Sequence, residues 1–391
     1  MQRCLERAAV VATAVVAITG MARAADPIKM GVVTPLTGTY APIGQQVRWG
    51  IELATKEVNA AGGIMGRPLE LLFEDEEANP AVATQKAEKL FQVSKVDFLT
   101  GTVNSGSTLA VGQLAERNNR LASTTVSFSD AITGDKCSPN VFRVNARAGQ
   151  QSAALAEWLA KEKPKASVYY LGPDYEMGRS TVAAFRAASD ARGMKPAGEV
   201  FAPLGNKDYS PFFGQIRAAR PQVLYTSVAG NDTARLFTQL DEYGLRKTLL
   251  IVGASGTVTS QNMGALGKVA EGYVTGVGYS PEIDTAENKK FVAAFRAMHN
   301  ADPDLYGADS YGLVYFYKAA VEKAKSTDTD KVRTAMRGLR WMTPQGEKEM
   351  RAGDHQAVQD MYAVKVEGGK FKIVSKVPGN VAIGPDTCSR F

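Results

Sequence analysis

Two α/β lobes, each a mostly parallel sheet flanked by helices, make up the fold that this sequence predicts. Three observations carry that reading. Strand-like and helix-like segments alternate almost from end to end. At 391 residues the chain exceeds one ordinary core, against a prior of about 150 residues per domain. The alternation also starts afresh after Asn145, as a second unit would.

The elements follow in order. Ile28–Thr34 is a β-rich run suited to a buried parallel strand. Over Gln45–Asn59, the residues Val47, Ile51, Ala54 and Val58 share one helical face, and Gly62-Gly63 ends the helix. Pro68 leads into the strand Leu69–Phe73, and Asn79-Pro80 opens a helix that turns Ala87, Leu90 and Phe91 inward. Strands at Val96–Thr100, Leu121–Val126 and Val141–Val144 complete the first unit. In the second, helices at Ser152–Lys161, Gly178–Arg192, Pro211–Ala219 and Asp232–Tyr243 interleave with four strands: Ala166–Leu171, Glu199–Phe201, Gln222–Ser227 and Thr248–Val252. Helices at Ala286–His299, Tyr306–Ala324 and Thr329–Arg337 follow, then a hairpin of Met361–Val366 and Phe371–Val374 about Glu367-Gly368-Gly369. Repeated βα units demand right-handed crossovers and sheets covered on both faces.

The first 24 residues stand apart from this pattern. Arg3 and Arg7, the apolar run Ala8–Thr19 and the A-x-A pattern Ala22-Arg23-Ala24 read as a signal peptide cut after Ala24. About 12 apolar residues are too few to cross a bilayer core of roughly 30 Å. Cleavage lowers the net charge from +6 to +4, with no basic block, so nucleic-acid binding has no footprint. It also removes Cys4 and leaves Cys137 and Cys388, an even pair in an oxidising compartment. One disulfide tying the C-terminal tail to the loop before Val141 is expected; two free buried thiols are the alternative.

Catalytic machinery is hard to find. Two histidines in the whole chain argue against histidine-rich metal sites and Ser-His-Asp chemistry. No phosphate loop is present, and Gly253-Ala-Ser255-Gly256 falls short of a nucleophile elbow. Glu74-Asp-Glu-Glu77 reads as a solvated loop before a helix rather than paired acid/base carboxylates, and His355 as a hydrogen-bonded structural histidine. No enzyme activity, metal or cofactor is therefore expected. What remains is a binding cleft. Thr34–Tyr40 and Thr102–Thr108 each lead from a strand into a helix and supply hydroxyls and glycines at the carboxyl edge of a sheet. Helix-start amides there, helped by Ser105 or Ser107, suit a carboxylate; ordinary N-capping is the plainer reading.

The stretch Val58-Asn-Ala-Ala-Gly-Gly-Ile-Met-Gly-Arg-Pro-Leu-Glu-Leu71, followed by Asp75 and Asn79-Pro80, resembles the leucine/isoleucine/valine-binding protein family. These are type I periplasmic solute-binding proteins of ABC importers. The likeness continues through Gly101–Thr108, Arg143, Tyr175–Gly178, Glu271-Gly272 and Asp354–Gln356, spanning the mature chain in order. It implies two lobes joined by three crossings, 26–144 plus 277–343 and 145–276 plus 344–391. It further implies a periplasmic, monomeric protein that closes on a small solute and docks on ABC permease subunits.

Carried over by position, the ligand-binding set is Tyr40, Asn104, Ser105, Val126, Ser127, Phe128, Tyr175, Ala229 and Ser255. Ser105 falls on the family's carboxylate-binding serine, and Tyr175 on the aromatic that lines the pocket from the second lobe. Two departures stand out. Phe128 replaces a threonine that holds both ligand charges, and Ser255 replaces the acid that pairs with the α-ammonium. Ala229 or Gly230 stands where an aromatic is usual, leaving room for a bulkier ligand. A buried ammonium without an anion costs several kcal/mol, unless Asp232 moves in to help. The expected ligand is thus an aromatic or aliphatic acid lacking an α-ammonium, with a branched-chain amino acid or a sensory ligand as alternatives. Phe128 is either a stacking partner for it or core packing.

Overall fold

The computed structural model describes residues 26–391; the signal-peptide reading of residues 1–24 lies outside them. The first lobe runs β1 (Ile28–Thr34), α1 (Ala41–Ala60), β2 (Leu69–Asp75), α2 (Pro80–Gln92), β3 (Phe98–Gly101), α3 (Ser105–Arg117), β4 (Ala122–Thr124) and β5 (Val141–Arg143). Its five strands form a wholly parallel sheet in the order β2-β1-β3-β4-β5. The second lobe follows with α4 (Ala148–Glu162), β6 (Ser167–Pro173), α5 (Glu176–Asp190), β7 (Lys195–Ala202), α6 (Ser210–Ala219), β8 (Val223–Thr226), α7 (Asn231–Glu242), β9 (Leu250–Gly253), α8 (Ser260–Leu266) and β10 (Val274–Val277).

The chain then returns to the first lobe for α9 (Ala286–His299), α10 (Leu305–Ala324) and α11 (Thr329–Met336). Helix α10 packs along α1 so closely that a Cβ on Gly50 would lie 2.2 Å from the Gly307 carbonyl oxygen. A small antiparallel sheet, β11 (Arg340–Thr343), β12 (Gly346–Met350) and β13 (Ala357–Val358), leads to β14 (Met361–Glu367) and β15 (Lys370–Val377). These last two close the second sheet, β15-β14-β10-β9-β8-β6-β7, with an antiparallel edge. Gly368 and Gly369 turn that hairpin with φ of 60° and 70°, the left-handed pair a two-residue turn needs. Each sheet buries apolar side chains on both faces, as parallel sheets require.

Several expectations need correction. Leu121 and Val126 lie outside β4, and β7 begins at Lys195 rather than Glu199. Pro196 and Gly198 masked that strand, and both are tolerated because β7 is an edge. Helix α4 starts four residues earlier than Ser152, at Ala148. Helix α8, β10 and the β11–β13 sheet went unread; they are short, and β12 carries Lys348 inward to Asp309 at 2.5 Å, so its buried side is not apolar. The acidic run is not a solvated loop: Glu74 and Asp75 end β2, and Glu76 is buried. His355 is structural as expected, stacked on Phe142 with Nδ1 3.2 Å from the Val141 carbonyl; burial lowers its pKa to about 3. Cys137 and Cys388 stand with Cα atoms 5.7 Å apart and sulfurs at bonding distance. The tail thereby lies on the first lobe, where Arg390 also reaches Glu116 at 2.8 Å.

Candidate functional site: the interlobe cleft

In an open parallel sheet, a crevice forms where strand order reverses, because neighbouring loops leave in opposite directions. In the first lobe this point lies between β1 and β3, in the second between β6 and β8. The loops leaving these four strands carry Tyr40, Asn104 and Ser105 on one side, Tyr175 and Ala229 on the other. The two crevices face each other and touch. Tyr40 Oη meets Tyr175 Oη at 2.6 Å, and the Asn231 amide donates to the Thr39 carbonyl at 3.2 Å. Ser129 Oγ donates to Glu176 at 2.7 Å, and the Asp130 amide to Ser180 Oγ at 3.1 Å. The lobes stand closed.

Two glycines permit this approach. Gly230 has φ of 65°, and a Cβ there would fall 2.5 Å from the Thr39 oxygen and 2.7 Å from the Tyr40 ring. Gly256 makes room for the Tyr306 hydroxyl, which would be 2.3 Å from its Cβ. The Phe128 ring edge and Ala229 border the same spot, and Phe128 lies against the Tyr306 ring with centroids 6.1 Å apart. Phe128 is thus buried in the first lobe's core and at the same time forms part of the wall turned toward the second lobe.

The α3 N-terminus is largely satisfied by its own chain. Asn104 Oδ1 accepts from the Gly106 and Ser107 amides, and Glu76 Oε1 accepts from the Val103 amide at 2.5 Å. N-capping therefore accounts for Asn104, where the plainer reading had serine and threonine as the caps. Ser105 Oγ accepts from the Ser129 amide at 3.3 Å, which leaves its proton to donate. Ser127 Oγ is committed to Thr102 O at 2.8 Å and to Thr108, so it works within the lobe. Val126 is core. Ser255 is buried with its hydroxyl unpartnered, beside a small crevice shared with Tyr279 and Asp304. Asp232 is occupied by the Gly205 amide at 2.7 Å and by Arg235, so no ammonium partner comes from it.

Behind these loops lies a buried cation. Arg143 donates to the Ser129 carbonyl at 2.6 Å, the Ser127 carbonyl at 3.3 Å and Gln356 Oε1 at 2.6 Å, which pins the backbone on both sides of Phe128. Burial lowers its pKa to about 9. Glu76, Tyr306 and Gly256 were not anticipated as site residues. An aromatic opening α10 or a glycine after β9 carries no distinguishing signal in one sequence, and the Glu76 signal was discounted as a charged run. Among the described residues no cluster of His, Cys, Asp and Glu is fit to hold a metal ion, and no helix is long and apolar enough to cross a membrane.

Residues 27–370 match the sequence pattern of the family described as periplasmic binding protein. The Leu/Ile/Val-binding protein homolog 3 of Brucella melitensis is 28% identical over 77% of this chain and 80% of its own. The leucine-, isoleucine-, valine-, threonine- and alanine-binding protein of Pseudomonas aeruginosa is 27% identical over 85% and 89%. Among solved structures, an ABC-transporter solute-binding protein of Rhodopseudomonas palustris in complex with 3,4-dihydroxybenzoic acid superposes with a TM-score of 0.84, at 26% identity over 91% of this chain and 98% of its own. A periplasmic binding protein of Burkholderia mallei gives 0.86 at 25% identity, over 93% and 99%. With the fold and its facing crevices, these likenesses establish that the chain belongs to the periplasmic binding protein family, in its type I, Leu/Ile/Val-binding branch.

Proposed function

We propose that this protein captures a small carboxylic acid, aromatic or aliphatic, between its lobes and delivers it to the permease of an ABC importer. One observation carries the ligand class: where an α-ammonium would need an anion, Ser255 is neutral and Asp232 is already engaged. Ser105 donates to the acid, and the apolar wall of Phe128, Ala229 and Tyr306 takes its body, desolvated as small-ligand sites are. The structurally similar solute-binding protein in complex with 3,4-dihydroxybenzoic acid supports this ligand class. Export through a cleaved signal peptide, a periplasmic location and a Cys137–Cys388 disulfide belong to the same reading, as does a monomer that makes or breaks no covalent bond. The lobes divide as 26–144 plus 277–343 and 145–276 plus 344–391, with β12 and β13 held on the first lobe by β11 and Asp309 and the tail strapped back across it.

A second reading, branched-chain amino acid capture, is favoured by the relatives that bind leucine, isoleucine and valine. Native mass spectrometry of freshly purified protein, followed by a thermal-shift panel of benzoate, 4-hydroxybenzoate, leucine and valine, separates the two. Stabilisation by the acids supports the proposal; response to leucine or valine alone refutes it. Ser105→Ala should weaken acid binding by about 10- to 150-fold, the worth of one hydrogen bond to a charged group, without unfolding the protein.

A further inference from the structure

Arg143, at the end of β5, is a fully buried cation whose hydrogen-bond partners are all neutral. Nη1 donates to the Ser129 and Ser127 carbonyls, Nε to Gln356 Oε1, and Nη2 to Thr133 Oγ1. The two acids whose charge reaches it are engaged elsewhere: Asp130 accepts from the Gly149 amide at 3.0 Å, and Asp354 from Arg351 at 2.9 Å. A buried charge without a counter-ion costs several kcal/mol, so the groups that surround it must offset that cost. Here they are consecutive peptide groups. The Ser127 and Ser129 carbonyls face the guanidinium, and the Phe128 carbonyl between them accepts from the Ala148 amide, at the start of α4, at 2.9 Å. In a planar trans peptide the N–H points opposite to the C=O, so each carbonyl held in this way turns an N–H the other way. The Ser129 amide reaches Ser105 Oγ at 3.3 Å, and the Asp130 amide reaches Ser180 Oγ of the second lobe at 3.1 Å. With Ser129 Oγ on Glu176 at 2.7 Å, these contacts place the loop at the lobe boundary.

We propose that Arg143 is a positioning residue that sets specificity: its planar fork aligns the peptide groups of Ser127–Asp130 with their positive ends toward Ser105 and the second lobe, so that the cleft prefers an anionic solute to a neutral molecule of the same shape. The solute's carboxylate then supplies, across the aligned peptides, the counter-charge that Arg143 lacks among its own hydrogen-bond partners. Successive oriented amides form anion-binding concavities in other folds. The side chain must be arginine for this task. One nitrogen serves two carbonyls while another serves Gln356, a fixed geometry that the compact ammonium of lysine does not reproduce. With a pKa of about 9, Arg143 keeps its charge at neutral pH.

This inference rests on the carboxylic-acid reading, and titration calorimetry with benzoate and its neutral isostere benzamide tests the two separately. The parent should bind benzoate at least about tenfold more tightly than benzamide. That ratio should hold between about 0.05 and about 0.5 M salt, because a buried cation is little screened. Arg143→Met removes the charge and the fork at similar length and should lower the ratio about tenfold or more. A merely structural role would weaken acid and amide alike and leave the ratio unmoved. Arg143→Lys keeps the charge, and with it the fold, but loses the fork; its ratio should fall between those of the parent and the methionine variant. A parent ratio near one, a ratio that collapses with salt as surface steering would, or a parent-like ratio in either folded variant overturns the role of Arg143. Failure of both benzoate and benzamide to bind while leucine binds overturns the carboxylic-acid reading itself.

Discussion

The Tyr40–Tyr175 contact joins the lobes through one short hydrogen bond between two phenols, at 2.6 Å. Opening the cleft hydrates both hydroxyls, so the bond contributes to the closed state alone. Deleting one hydroxyl, by Tyr40→Phe or Tyr175→Phe, leaves the other without a partner on closure. An orphaned buried hydroxyl costs about 1–3 kcal/mol, which disfavours closure by roughly 5- to 150-fold and raises the apparent Kd by the same factor when capture requires closure. Deleting both removes the orphan together with the bond, and the double variant should lie within about 1 kcal/mol of the parent. The signature is therefore inverted additivity: the double variant binds better than either single one. Calorimetry with benzoate on the four proteins measures it, and small-angle scattering reports the lobe angle. Additive losses, with the double variant weakest, would refute the reasoning and assign each hydroxyl its own contact with the solute.

Three further outcomes are expected. Cys137 and Cys388 are separated by 251 residues, so replacing both with serine should cost at most about 5.5 kcal/mol by loop-closure entropy. Calorimetric melting should fall by up to roughly 7 °C; an unmoved melting temperature refutes the tie. Glu76 has a folded-state pKa raised from 4.5 to about 7, so the native state holds its proton more tightly than the unfolded chain and stability is lost as pH rises through that interval. Glu76→Gln removes a penalty of about 3 kcal/mol above pH 7 and none below pH 4. Urea unfolding at pH 4 and pH 8 checks this, and equal stabilities of variant and parent at pH 8 contradict it. Gly256→Ala puts a methyl group 2.3 Å from the Tyr306 oxygen. It should displace that ring and weaken benzoate binding at least tenfold while circular dichroism stays native; unaltered affinity would place the solute elsewhere.

Periodicity and punctuation in the chain suffice for the βα alternation, the restart after Asn145, the Gly368-Gly369 hairpin and the two hydroxyl-bearing loops at the sheet edge. These are local features, set by backbone conformation and by which side chains alternate in or out. The weakly legible parts are those whose meaning depends on partners distant in sequence. Strand β12 reads as polar because Lys348 is buried only by virtue of Asp309, 39 residues earlier. Glu76 reads as one of four solvated acids until the start of α3 closes over it, and Ser127 reads as a ligand contact until Thr102 and Thr108 take its hydroxyl. The order of segments along the chain thus determined two lobes and where their crevices lie. The tertiary structure alone decided which polar groups in those crevices remain unspent, because a hydrogen-bonding group is available to a solute only when nothing else in the fold has claimed it.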